Sequence, residues 1–83
     1  MDEVGAEEIV STLRAIEEIL LNTPPDRRFW GRQREEHIRR EVARLRFLYV
    51  DLGLRGLARD LEIAQAMLGM LKGDSGVTFE IEG

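Results

Sequence analysis

Leu45-Arg46-Phe47-Leu48-Tyr49-Val50-Asp51-Leu52-Gly53-Leu54-Arg55-Gly56-Leu57 is the stretch whose reading decides the fold. Leu45, Tyr49 and Leu52 continue a helical stripe that starts at Ile38 and Val42, with spacings that alternate between four and three. Phe47, Leu48 and Val50 fall off that stripe, so Leu45 to Leu54 is apolar nearly all round. A helix that is apolar on every side is a buried helix, and this stretch is expected to be the most buried of the chain. Gly53 reads as a helix C-terminal glycine, with Leu54 folding back. A second stripe of Phe47, Val50, Leu54, Leu57, Leu61, Ala64, Leu68 and Leu71 would run straight through both Gly53 and Gly56. Glycine inside a helix costs only ~1 kcal/mol relative to alanine. A hairpin with its bend at Gly53 and one long helix therefore both fit the pattern.

Before this stretch, Ile9, Leu13, Ile16 and Leu20 form one apolar stripe, widened by Val10 and Ile19. Glu3, Glu7 and Glu8 sit near its start, where the helix dipole favours anions. A helix over residues 3–22 is expected. Thr23-Pro24-Pro25 ends it, because a residue before proline avoids helical backbone. The same prolines can open a second helix over 26–52, which begins there or resumes after Gly31. A third helix is expected over 54–72, stopped by Gly73-Asp74-Ser75-Gly76. Val77-Thr78-Phe79-Glu80-Ile81-Glu82 then alternates apolar and polar, which is a strand pattern. The expectation is an all-α fold: one helical domain over 1–73, a small three-helix bundle or helical hairpin, with an extended or β-like arm over 74–83.

Charge is sorted along the chain. The net charge is −4 overall, but residues 1–26 carry −6, residues 27–46 carry +5 and residues 47–83 carry −3. Arg32, Arg39 and Arg46 repeat every seven residues along one face, with Arg28 near it. They are the candidate contacts to a nucleic-acid backbone. The competing reading is a solvated face of ion pairs, since Glu35 and Glu36 precede Arg39 and Arg40 by one helical turn. The acidic balance of the whole chain favours the ion pairs.

Other chemistry is sparse. The chain has no cysteine, so disulfides, thiolate metal clusters and cysteine nucleophiles are excluded. His37 is the only histidine, which leaves no helical histidine pair to hold a metal. No cofactor and no metal are expected. Phe47 to Val50 is the longest aliphatic or aromatic run, far short of the ~20 residues of a membrane helix. No membrane contact is expected, and the location is expected to be cytoplasmic.

Leu57-Ala58-Arg59-Asp60-Leu61-Glu62-Ile63-Ala64-Gln65-Ala66-Met67-Leu68-Gly69-Met70-Leu71 resembles the helix-turn-helix of phage-repressor-type regulators. The resemblance implies a bend near Glu62 and a second helix that enters the major groove. Gln65, Ala66, Met67 and Gly69 would then face DNA, with Gln65 the best base-edge donor and acceptor. The pattern's usual turn glycine is replaced by Glu62. Simple core packing or a helical interface accounts better for Met67 and Met70, because methionine fills irregular gaps and adapts to partner surfaces.

The leading expectation is a non-enzymatic interaction protein, acting as a homodimer or docking a protein partner. A short chain without disulfides enlarges its core most readily by oligomerising. Leu45, Tyr49, Leu52, Leu57, Leu61, Met67, Leu68, Met70 and Leu71 are the expected interface, with Val77, Phe79 and Ile81 from the arm. A helix-turn-helix DNA-binding regulator is the alternative. An enzyme built on arginine and glutamate in a helical pocket is the third reading.

Overall fold

The first helix, α1 (Ala6–Asn22), is the spine of the fold; it packs chiefly on the third helix and also touches the second. The structure is a computed structural model that describes residues 3–73. Ile9, Leu13, Ile16 and Leu20 of α1 are the buried line, as their spacing predicts. The helix begins three residues later than expected. Glu3–Val4 is instead a short strand, β1, paired antiparallel with β2 (Gly56–Leu57) in the register Glu3 to Leu57 and Val4 to Gly56. Thr23 ends α1 in extended backbone before Pro24, while its N–H still donates to the Ile19 carbonyl.

A 3-10 turn over Pro25–Arg27 carries the chain round the corner. Gly31 adopts φ +88, a value that ordinary residues avoid, and so separates this turn from α2 (Arg32–Arg46). The second helix thus resumes after Gly31. Its inward line is Ile38, Val42 and Leu45, continued by Tyr49 in a π-helical turn over Phe47–Asp51. Leu52 N–H closes that turn on the Phe47 carbonyl at 2.9 Å. Gly53 then adopts φ +65, and Leu54 folds back to donate to the Leu48 carbonyl at 3.0 Å. The chain therefore bends at Gly53, and the single long helix is not formed.

The expectation that Leu45 to Leu54 is the most buried stretch is overturned. Phe47 and Leu52 are each 52% exposed, Leu54 47% and Val50 45%. Only Leu45 and Tyr49 of this stretch are fully buried, with Leu48 packed partly beneath. The physical reason is coverage. The inward face meets the rest of the core, and the described residues put no element over the outward face.

The third helix, α3 (Ala58–Lys72), runs unbroken through Glu62. It starts at Ala58 rather than Leu54 because Gly56–Leu57 is held in the strand pair. The buried line of α3 is Asp60, Ala64, Met67 and Leu71. Leu61 and Leu68 flank it on one side and Ile63 and Met70 on the other, all half-buried. The two apolar faces seen in the sequence are the two edges of one wide contact face. No bend is needed to bury them, so the turn implied by the helix-turn-helix resemblance does not form. Gly73 closes α3 in left-handed backbone, with its N–H on the Met70 carbonyl. The expected arm over 74–83, with Val77, Phe79 and Ile81, lies outside the described residues. No helix among the described residues is long and apolar enough to cross a membrane.

Candidate docking groove

The corner between α1 and α2 is built on two side chains. Arg28 donates from Nε to the Thr23 carbonyl at 2.8 Å and from Nη2 to the Leu20 carbonyl at 2.9 Å. Those carbonyls lie at the end of α1, where no further helical N–H can reach them. The remaining Arg28 nitrogen, Nη1, donates to Glu35 Oε2 at 3.0 Å. Glu35 also accepts from Trp30 Nε1 at 2.9 Å and from Arg39 Nε at 3.1 Å. One carboxylate thus joins the corner loop to the first turn of α2.

The Trp30 indole, then Arg39 and Arg28, hold the Glu35 carboxyl below its ordinary range, against the opposing effect of partial burial. A depressed carboxyl contributes stability above its unfolded value of about 4.3 and loses it as pH falls through the lower folded value. Glu35→Gln is therefore expected to destabilise the protein by about 1 kcal/mol at neutral pH. The difference from wild type should shrink as pH is lowered below 4.3, in urea melts run at a series of pH values. A difference that stays constant down to the acid transition would refute this role.

Beside the corner, α1 and α2 diverge and leave an open groove of about 650 Å³. Its apolar lining comes from Leu20, Leu21, Val42 and Phe47. Its rim carries both signs: Arg28, Arg39 and Arg46 against Glu17 and Asp51. Arg46 Nη1 bridges to Glu17 Oε2 at 3.0 Å and so ties α2 to α1. Leu21 is 82% exposed at this groove. Phe47 connects the groove to the outward face of the π turn, where Val50, Leu52 and Leu54 stand exposed, with Leu57 42% exposed beyond the bend.

On the inner side of the same turn lies a buried polar cluster. Asp60 is 2% exposed and accepts the Tyr49 hydroxyl on Oδ2. Burial first, and then donation to Asp60, pushes the Tyr49 phenol up, so it stays protonated. Asp60 Oδ1 has no hydrogen-bond partner; the nearest cation is Arg44 Nη2 at 3.7 Å. Arg44 itself is held by Glu41 at 2.9 Å. The cluster locks the start of α3 to the end of α2, and its location in the core makes it a clamp.

The sequence-derived interface residues separate into three groups. Leu45, Tyr49, Met67 and Leu71 are core within one chain. Leu61, Leu68 and Met70 are half-buried, and Leu52 and Leu57 are exposed. Leu21, Phe47, Val50 and Leu54 belong to the exposed face as well, although the sequence pattern pointed inward for the last three. The candidate nucleic-acid contacts are also dispersed. Arg28 and Arg39 share Glu35, Arg46 pairs with Glu17, and Arg32 faces solvent without an ion pair among the described residues. Gln65 is exposed on α3, while Met67, which the resemblance would place on DNA, is buried at 3% exposure. Sequence reasoning reached Glu35 only as an ion-pair partner of Arg39 and missed its bonds to Trp30 and Arg28, and it missed Asp60 altogether. Glu35 had a usable signal, being a glutamate one turn before Arg39 and seven residues after Arg28. Asp60 had none, since nothing in its neighbours marks a buried acid.

No family model matches the chain, and no curated protein or solved structure is significantly similar to it.

Proposed function

We propose that this protein acts by binding, as a non-enzymatic helical module that pairs with a second copy of itself through the exposed face of its α2 end. One observation carries the reading. Five large apolar side chains, Phe47, Val50, Leu52, Leu54 and Leu57, are each at least 42% exposed within eleven consecutive residues. Single exposed apolar residues are ordinary, but a cluster of this density marks an association surface. Its charge pattern fits a second copy. A two-fold contact presents one patch to itself, so the rim must carry both signs. Arg46 with Glu17, and Arg39 with Asp51, supply them around Leu21 and Phe47. The converging ionisable pairs, Arg28–Glu35, Arg46–Glu17 and Tyr49–Asp60, tie elements of the fold together, which also favours a binding role.

Sedimentation equilibrium is expected to give twice the 9.5 kDa chain mass. Leu54→Asp places a charge in the middle of the face without touching the core, because Leu54 is 47% exposed. It should give a folded monomer, with helical circular dichroism unchanged. A wild-type protein that stays monomeric at sub-millimolar concentration, or a Leu54→Asp variant that stays dimeric, would sink the proposal. A monomer whose face is covered by a different protein would equally replace self-pairing.

A further inference from the structure

Six arginines make no ion pair among the described residues: Arg14, Arg27, Arg32, Arg34, Arg40 and Arg59. Four of the six line two adjoining grooves. Arg32, Arg34 and Arg40 line the first, between the start of α2 and the last turn of α3. Arg59 lines the second, farther along the same two helices. His37 and Met70 line both, so the grooves form one continuous surface. Among the described residues the first groove has no carboxylate, and the second has only Glu41, which is held by Arg44 at 2.9 Å.

The acidic excess of the chain is placed elsewhere. Residues 1–26 carry −6, and α1 contributes no residue to either groove. A local excess of positive charge therefore stands within a chain of net charge −4, and it faces solvent: Arg32, Arg34, Arg40 and Arg59 are all exposed. Like charges gathered on one surface repel, and an anionic partner relieves that repulsion.

The kind of anion follows from what the surface lacks. A protein partner is gripped chiefly by aromatic and aliphatic anchors. The strongly exposed large hydrophobic side chains of the described residues, Phe29 and Leu54 among them, line neither groove. A single nucleic-acid strand is held by bases stacked on free aromatic rings. Trp30, the indole of the first groove, is 6% exposed with its N–H bonded to Glu35, so it is closed to stacking. What the surface does offer is guanidinium, a planar fork that matches phosphate oxygens two at a time. Arg32 to Arg40 covers about 12 Å of straight helix. A nucleic-acid duplex carries about one phosphate charge per 1.7 Å of axis, hence about seven over that length.

We propose that Arg32, Arg34, Arg40 and Arg59 form a binding surface for the phosphate backbone of a nucleic-acid duplex, with affinity set by charge and not by base sequence. The surface is separate from the apolar face of the π turn, so the inference does not rest on self-pairing.

The test titrates the full chain against short labelled duplexes of mixed sequence, one of DNA and one of RNA, read by fluorescence anisotropy. Four phosphate contacts give DNA binding a slope of about −3.6 in log affinity against log salt, so raising salt from about 50 to about 200 mM should weaken it roughly 150-fold. Arg34→Gln with Arg40→Gln should halve the slope, leaving a loss of roughly 12-fold over the same range. The control, Arg14→Gln with Arg55→Gln, removes the same charge outside both grooves and should leave the slope unchanged. All four substituted positions are exposed, and circular dichroism checks that the helices remain. In NMR spectra the Nε–H signals of Arg32, Arg34, Arg40 and Arg59 should move on adding duplex, while that of Arg14 stays. The same signals should move in Leu54→Asp, which separates this site from the apolar face. The duplex bound more tightly identifies which nucleic acid the surface serves. No binding of either duplex at about 50 mM salt overturns the proposal. So does an equal loss from the two double variants, which would reflect net charge alone. Tighter binding of a single strand, or shifts produced by poly-glutamate and by neither duplex, would also overturn it, the latter in favour of an acidic protein segment.

Discussion

Ile16→Ala is expected to remove about 3–5 kcal/mol of folding stability. Ile16 is fully buried in the middle of α1, the helix that makes the main packing contact of the fold, with α3. Truncating an isoleucine in a close-packed core loses the transfer free energy of the removed carbons. It also leaves a cavity that neighbouring side chains close only in part, for a combined cost of about 2–5 kcal/mol. The upper part of that range applies because Leu13 and Leu20 are held by the helix backbone and cannot slide in. A domain of this length has a total stability of roughly 4–12 kcal/mol, so the variant should lose at least about a quarter of it and unfold at a much lower urea concentration. Urea denaturation followed by circular dichroism measures it. The control is Glu18→Ala, on the same helix but exposed, which should change stability by less than about 0.5 kcal/mol. Similar losses from the two variants would show that the α1 stripe is not the core.

Gly56→Ala is expected to cost about 2–3 kcal/mol, in spite of being one of the mildest substitutions in chemical terms. A Cβ at Gly56 would stand 2.6 Å from the Val4 carbonyl oxygen, 3.0 Å from Ala6 N and 3.1 Å from Ala6 Cα. All three are backbone atoms, so no side-chain rotation relieves the contact. The chain must either separate β1 from β2 or tilt the start of α1, and overpacking of this kind costs about 1–3 kcal/mol. The same exchange in an exposed helix would instead stabilise by up to about 1 kcal/mol. The sign of the effect therefore discriminates between the strand pair and a helix running through Gly56. Hydrogen exchange should also speed up at the amides near the start of α1 while leaving α2 protected. A neutral or stabilising Gly56→Ala would contradict the close approach of Val4.

The polar clusters illustrate what a one-dimensional reading can and cannot reach. The spacing of Glu35 from Arg39 announces an ion pair on one helix face. That the same carboxylate also holds Trp30 and Arg28 depends on the corner at Pro24 and Pro25, which brings the loop back over α2. The seven-residue arginine repeat is geometrically real, yet its members are used separately: Arg39 and Arg46 each tie down a glutamate, and Arg32 is exposed without an ion pair among the described residues. Asp60 meets Tyr49 only because the bend at Gly53 brings the start of α3 back against the π turn.

Local pattern alone determined that Ile9, Leu13, Ile16 and Leu20 face inward and that Gly73 ends a helix, while it left the bend at Gly53 and one long helix equally open. Each of these depends on interactions within a few turns of chain, where side-chain periodicity and glycine's access to left-handed backbone dominate. The tertiary structure alone decided which side of Phe47–Leu54 is covered, that α3 passes unbroken through Glu62, and that Glu3–Val4 is a strand. An apolar residue is buried only if another element arrives to cover it, and that arrival is set by the direction of the chain after Gly53. The surplus of apolar positions that suggested a deep core is, among the described residues of the folded chain, an uncovered face.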